Sequence, residues 1–185
     1  MKQAAIAALF LLAAAAAQAT AQTRLGVMTL KDTLTAEKRQ FRDVVAELRD
    51  TLTRVQASHS LISRAHDSGM SGVVVSESRR LLQRCRAGMA MANITRSRIA
   101  NLRTNAAQGD QALASYRNAL DVLTGDLDSC AVADSVALHQ VPLDQAKALD
   151  IAAAATLAID RYDVSRDAML GLLGIRLPIA GNIYH

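Results

Sequence analysis

Residues 34–66 have the sequence LTAEKRQFRDVVAELRDTLTRVQASHSLISRAH, in which one set of positions recurs at alternating intervals of four and three. Seven of the ten positions in this set are apolar. Such a repeat places the apolar side chains on one stripe of an α-helix. We therefore predict a long first helix, which ends at the turn-forming residues 67–72. The ten positions are Leu34, Lys38, Phe41, Val45, Leu48, Leu52, Val55, His59, Ile62 and His66.

Similar spacing predicts three further helices after the first. The second is expected to start near residues 73–76, with Glu77 close to its positive N-terminus. The third is expected to end before Pro142, because the residue preceding proline avoids the α region. The second helix is expected to end at about residue 105 and the third at residue 139 or 140. The fourth is expected to extend from residue 143 to about residue 173, and an irregular apolar tail follows from about residue 175.

The composition favours an all-α fold. Aromatic residues make up 3% of the chain and there are two prolines, whereas Ala, Leu and Arg are abundant. Sheets depend more on aromatic and β-branched residues. Short connections make consecutive helices antiparallel. We therefore predict a long, coiled-coil-like, up-down-up-down four-helix bundle in a single domain of residues 22–185.

Residues 1–21 have the features of a secretory signal peptide. Lys2 supplies the positive charge, residues 4–17 are apolar and uncharged, and Ala19-Thr20-Ala21 is a small-x-small cleavage site. The apolar run is shorter than the roughly 20 residues of a membrane-spanning helix. We predict a periplasmic or secreted protein without a transmembrane segment in the mature chain. The alternative is an uncleaved N-terminus that tethers the protein to the membrane.

The two cysteines, Cys85 and Cys130, are predicted to form a disulfide between the second and third helices. In an antiparallel hairpin, the residue numbers of each facing pair add up to the same value, so every pair has its midpoint in the turn. The midpoint of Cys85 and Cys130 falls inside the turn predicted at residues 105–110. An oxidising compartment outside the cytoplasm would close such a pair. A redox-active or metal-binding thiol pair is the alternative, although the chain contains no CxxC motif.

His59 and His66 are the candidate ligand-binding residues, because both fall on the first apolar stripe. A metal- or haem-binding bundle would use such inward histidines, with methionine as a further ligand. Seven residues separate the two side chains by about 10 Å along a helix, so they cannot share one ion. No CxxCH haem attachment site or Glu-x-x-His pair occurs. We therefore predict no metal and no cofactor, and we interpret the histidines as hydrogen-bonded or partly exposed side chains on the stripe.

Charge is unevenly distributed along the chain. Residues 78–109 contain seven arginines and no acidic residue, whereas residues 110–167 contain ten aspartates. One interpretation is a basic face that binds an acidic component of the cell envelope. The other is pairing of these charges within the bundle. The seven arginines are Arg79, Arg80, Arg84, Arg86, Arg96, Arg98 and Arg103.

Neither an enzyme nor a nucleic-acid partner is expected. No phosphate-binding loop, GxSxG elbow or HExxH motif occurs, and we assign no catalytic residue. The whole chain has 21 basic and 17 acidic residues, and residues 1–21 contain one basic residue and no acidic one. The remaining chain therefore has a net charge of +3. That balance, with two Phe, three Tyr and no Trp, does not suit nucleic-acid binding.

One short motif resembles a known family. The segment from Leu52 to Gln56 has the sequence LTRVQ, and it resembles the Leu-Thr-x-x-Gln motif of small periplasmic helical stress proteins and chaperones. In that family the motif opens helices, whereas Thr53 lies inside a predicted one. The resemblance implies a periplasmic chaperone-like function. Our leading expectation is an exported non-enzymatic protein that acts by contact with another protein or with itself, or as a structural element of the envelope.

Overall fold

Over the residues that the structure describes, the apolar repeats fold into four α-helices. The computed structural model describes residues 38–102 and 107–178 and contains no strand within them. The predicted signal peptide and Arg103 lie outside these ranges. The packing described below is that of the unit that begins at Phe41. The helices are α1 (38–67), α2 (Ser71–Ile99), α3 (Ala107–Leu138) and α4 (Gln145–Leu173).

Consecutive helices are antiparallel neighbours. Arg84 of α2 contacts Ser58 of α1, whereas Arg98, further along α2, contacts Glu47, earlier in α1. Helix α3 packs extensively on both α2 and α4, whereas α2 and α4 meet at few points and are therefore diagonal partners. The predicted all-α, up-down-up-down bundle is confirmed.

The core of α1 follows the predicted stripe at Phe41, Val45, Leu48, Leu52, Val55 and Ile62, but not at Lys38, which is exposed, or at the two histidines. Ser58 and Ala65 are buried, whereas His59 and His66 are half-buried at the edge of the core. A straight helix has 3.6 residues per turn, so a strict seven-residue repeat drifts around its surface. The two histidines therefore lie beside the apolar stripe and not on it.

The C-terminus of α2 differs from the expected one. The helix ends at Ile99, six residues before the predicted residue 105. Arg117 of α3 explains this end, because its Nη2 donates to the carbonyls of Ile99, Ala100 and Leu102 at 2.8, 2.9 and 3.0 Å. A cation on the last carbonyls of a helix satisfies them and complements the helix dipole. The cap comes from another helix, so local sequence does not reveal it.

The N-terminus of α2 also corrects an expectation. The helix begins at Ser71, before the predicted start, and its first turn contains no acidic residue. Glu77 is therefore not placed at the helix N-terminus. Its side chain is buried and forms ion pairs with Arg80 and Arg84.

Both ends of α4 have local caps. The Asp144 side chain accepts a hydrogen bond from the backbone amide of Lys147 at 3.2 Å. Gly174 ends the helix with φ +63°, a left-handed conformation that glycine adopts without strain. The amide of Ile175 then donates to the carbonyl of Leu170 at 2.9 Å. These caps account for the close agreement with the predicted bounds of 143 and 173.

The chain after α4 is irregular through residue 178. Ile175 and Leu177 are half-buried and pack against the core. The Arg49 guanidinium of α1 donates to the carbonyl of Pro178. This part of the predicted tail therefore contacts α1. Residues 175–178 do not line the surface between α3 and α4. The remainder of the tail lies outside the described residues.

Candidate functional site

The predicted disulfide is confirmed. Cys85 and Cys130 are bonded, and their Cα atoms are 6.3 Å apart. Both residues are buried among the apolar side chains of the core. One turn away, Gly88 allows the close approach of the three helices, since a Cβ there would lie 3.0 Å from Leu127 and 3.5 Å from Leu52. The bond therefore joins α2 to α3 in the interior, where it acts as a structural clamp.

Most of the predicted basic face is paired within the bundle. Besides the Glu77 pairs of Arg80 and Arg84, Arg96 pairs with Asp121 of α3 at 3.0 Å. Arg98 approaches Glu47 of α1 at 3.8 Å. Arg79 and Arg86 are exposed. The Glu77 pairs lie within α2, whereas Arg96, Arg98 and the bond from Arg84 to Ser58 connect α2 to its neighbours. Arg79 and Arg86 remain available to solvent.

The histidines do not converge on a common site. His59 and His66 are both half-buried, one two turns after the other on α1. The Nδ1 atom of His66 is buried without a hydrogen-bond partner. Over the described residues, no three His, Cys, Asp or Glu side chains come together in a group able to hold a metal ion.

A groove between α3 and α4 is an open feature of the described surface. It consists of two adjoining depressions of about 460 and 320 Å³. Small side chains make up much of its lining, together with the ring of the buried Tyr162. The small residues in the lining are Ala112, Ser115, Ala119, Ala158, Ser165 and Ala168.

Large apolar side chains stand exposed along the groove. Val164, which is 72% exposed, and Leu172 contribute to the α4 wall, and Val122 contributes to the α3 wall. Leu157 of α4 is also exposed and lies one turn before Arg161. Together with Val164 and Leu172 it forms an exposed stripe on α4. On α4 the stripe recurs at intervals of four, three, four and four residues, through positions 157, 161, 164, 168 and 172. Helix α4 therefore has a second stripe, which the described bundle does not bury.

Arg161 is the single charged side chain that lines the groove. It is exposed, and it forms no hydrogen bond or ion pair within the described part of the chain. Nearby Arg166 differs, since it is largely buried and pairs with Asp163 and Asp167. An apolar groove with one unpaired cation suits an apolar ligand that carries a carboxylate.

Two buried polar features were not identified from sequence. The hydroxyls of Tyr116 and Tyr162 form a hydrogen bond in the core. Asp134 is fully buried on α3. Its position continues the three–four repeat by four residues beyond Cys130, so an acid on the apolar stripe was the signal that could have identified it.

Comparisons with protein families, with curated proteins and with solved structures give no significant match. Among the helices of the described residues, none has the length and apolarity that crossing a membrane requires. The assignment of a function therefore depends on the surface and interior of the bundle itself.

Proposed function

We propose that this protein is exported and acts without catalysis, by binding an amphipathic helix of another protein in the α3–α4 groove. The observation that carries the proposal is the exposed apolar stripe of α4 beside a groove that is lined largely by small residues. Exposed contiguous apolar surface with a polar surround is typical of protein-interaction sites. A periplasmic or secreted location is supported by the interior Cys85–Cys130 disulfide, since such bonds persist in oxidising compartments.

The dimensions of the groove fit a helix as its occupant. From position 158 to position 172 the lining of α4 extends about 21 Å, which matches a partner helix of about 14 residues. Small side chains in the lining allow the partner's larger residues to approach the α3 and α4 backbones. Anchors at i, i+3, i+4 and i+7 would then contact Val164 and Leu172.

Arg161 indicates that the partner helix carries a negative charge. A carboxylate on the bound helix would pair with this otherwise unpaired guanidinium and fix the register of the helix. The matched control is Arg79, an exposed arginine on α2. Replacement of either arginine by glutamate changes the net charge by the same amount, but only Arg161→Glu would place an acid in the groove.

The test uses a photo-crosslinking side chain at position 165, inside the groove, and at position 83, on the exposed surface of α2. Crosslinking of the full-length protein in the exported fraction should give a discrete product at position 165 only. Arg161→Glu should reduce this product at least tenfold, whereas Arg79→Glu should leave it unchanged. The crosslinked partner peptide should be an amphipathic helix that contains an acidic residue.

Two results would contradict the proposal. Equal crosslinking at positions 165 and 83 would show that the groove has no preference for a partner. A product that persists unchanged in Arg161→Glu would remove the charge argument. A chaperone that holds unfolded clients would instead give many products at position 165, with little dependence on Arg161.

A further inference from the structure

Asp134 places a carboxyl group on the buried face of α3, one turn before the end of the helix. Its side chain is fully buried, and it lies four residues after Cys130 on the face of α3 that forms the core. Neither carboxylate oxygen forms a hydrogen bond of good geometry in the described part of the chain, and the backbone of Leu82 is the polar group that approaches the carboxyl. An isolated buried carboxylate costs several kcal/mol when ionised, so a group of this kind is normally paired or protonated.

The surroundings of Asp134 do not supply a counter-charge. The Ser78 hydroxyl of α2 is also buried without a partner. Glu77 is already paired with Arg80 and Arg84. No described residue forms an ion pair with Asp134. The ionisable side chains of the neighbouring helices at this end of the bundle include His59 and His66 of α1, Glu77 and Arg84 of α2, and Lys147 and Asp150 of α4.

We infer that Asp134 is a pH-sensitive switch in the α2–α3 interface, which packs tightly when the carboxyl is protonated and opens locally when it is ionised. Protonation removes the charge that the interior cannot stabilise. Ionisation favours any conformation in which water reaches the carboxylate. The disulfide at Cys85 and Cys130 limits this opening to the part of the interface beyond it, toward the α3–α4 connection.

The pKa of Asp134 agrees with this inference. Burial raises it from 3.8 to about 6, and the backbone of Leu82 offsets the effect only in part. Because an opened, hydrated carboxyl returns to its ordinary pKa, ionisation favours the open form increasingly as pH rises from 4 to 6. Between pH 5 and pH 7.5 the equilibrium constant for opening should increase about tenfold.

Hydrogen–deuterium exchange of the intact, oxidised protein at pH 5 and pH 7.5 tests the switch, after correction for the chemical pH dependence of exchange. In the wild type, amides of residues 131–138 and 74–82 should lose about tenfold in protection at the higher pH. Asp134→Asn, which is neutral at both values, should show equal protection. Asp128→Asn, at an exposed position on the same helix, should behave as the wild type.

Histidine also titrates in this range, so His59→Gln and His66→Gln variants are compared as well. Both should retain the tenfold change. Equal protection of the wild type at the two pH values would overturn the inference. So would a loss of protection in Asp134→Asn as large as in the wild type, or abolition of the change by either histidine variant. Should Asp134→Asn fail to fold, Asp134→Leu provides the same neutral comparison.

Discussion

The hydroxyl oxygens of Tyr116 and Tyr162 lie 2.7 Å apart and share a hydrogen bond inside the bundle. One residue belongs to α3 and the other to α4, and both are almost completely buried. Phe41 of α1 packs edge-on against the Tyr116 ring, with ring centroids 5.7 Å apart. Burial raises the pKa of both phenols, so both stay neutral over the ordinary pH range. This contact fixes the lateral position of α4, whose core is otherwise rich in alanine.

The tyrosine pair should be energetically coupled. Tyr116→Phe leaves the Tyr162 hydroxyl buried without a partner, and we expect a loss of about 1–3 kcal/mol in the free energy of unfolding. Tyr162→Phe should have a similar effect. The double variant should lose less than the sum of the two, because it leaves no unpaired hydroxyl. Urea unfolding of the four proteins in a double-mutant cycle measures this coupling, and additive losses would contradict it.

The disulfide should contribute mainly by restricting the unfolded chain. Cys85 and Cys130 are 45 residues apart in sequence, which corresponds to about 4 kcal/mol on the chain-entropy estimate. Reduction should lower the free energy of unfolding by about this amount while leaving the helical circular dichroism of the native state unchanged.

A variant with both cysteines replaced by alanine controls for the effect of the reductant. Its stability should not respond to reductant and should lie near that of the reduced wild type. A loss below about 1 kcal/mol on reduction would contradict the chain-entropy argument. Loss of the helical signal would show that the clamp is also needed to form the native bundle.

The fold was largely predictable because its determinants are periodic and local. The three–four repeats identify four helices, and Asp144 and Gly174 lie close to the expected ends of α4. The disulfide was predictable because antiparallel pairing relates Cys85 to Cys130 through a turn. The end of α2 was not, since it depends on Arg117, which reaches it from another helix.

The candidate site was much less predictable. Whether Val164 or Leu172 is exposed depends on the rotation of α4 about its own axis, which the apolar pattern of an alanine-rich helix specifies only weakly. The positions of the arginines were visible in the sequence, but not their partners, since Asp121 and Glu47 lie on different helices. The groove therefore became apparent only from the packed structure.

The stability of the bundle should depend on the ionisation of Asp134. Its pKa in the folded state is raised from 3.8 to about 6. The native state therefore binds the proton of Asp134 more tightly than the unfolded chain does. This contribution is fully present below pH 3.8 and is lost as pH rises through 6. The loss amounts to about 3 kcal/mol at most.

Comparison with Asp134→Asn separates this effect from those of other carboxyl groups, such as Asp163, whose pKa burial also raises. The variant should gain stability relative to the wild type as pH increases from 4 to 7.5. Urea unfolding at intervals of half a pH unit measures the difference. Parallel stability curves for the two proteins would exclude a titrating Asp134.

Arg117 should be required for the C-terminal turn of α2. Arg117→Met keeps an apolar stem but removes the donor to the carbonyls of Ile99, Ala100 and Leu102, and we expect a loss of about 1–3 kcal/mol. Arg161→Met, at an exposed position without a partner in the described bundle, should change stability by less than about 0.5 kcal/mol. Hydrogen exchange in residues 95–102 should increase in the first variant only. Equal effects of the two substitutions would show that the loss comes from the removed charge and not from the cap.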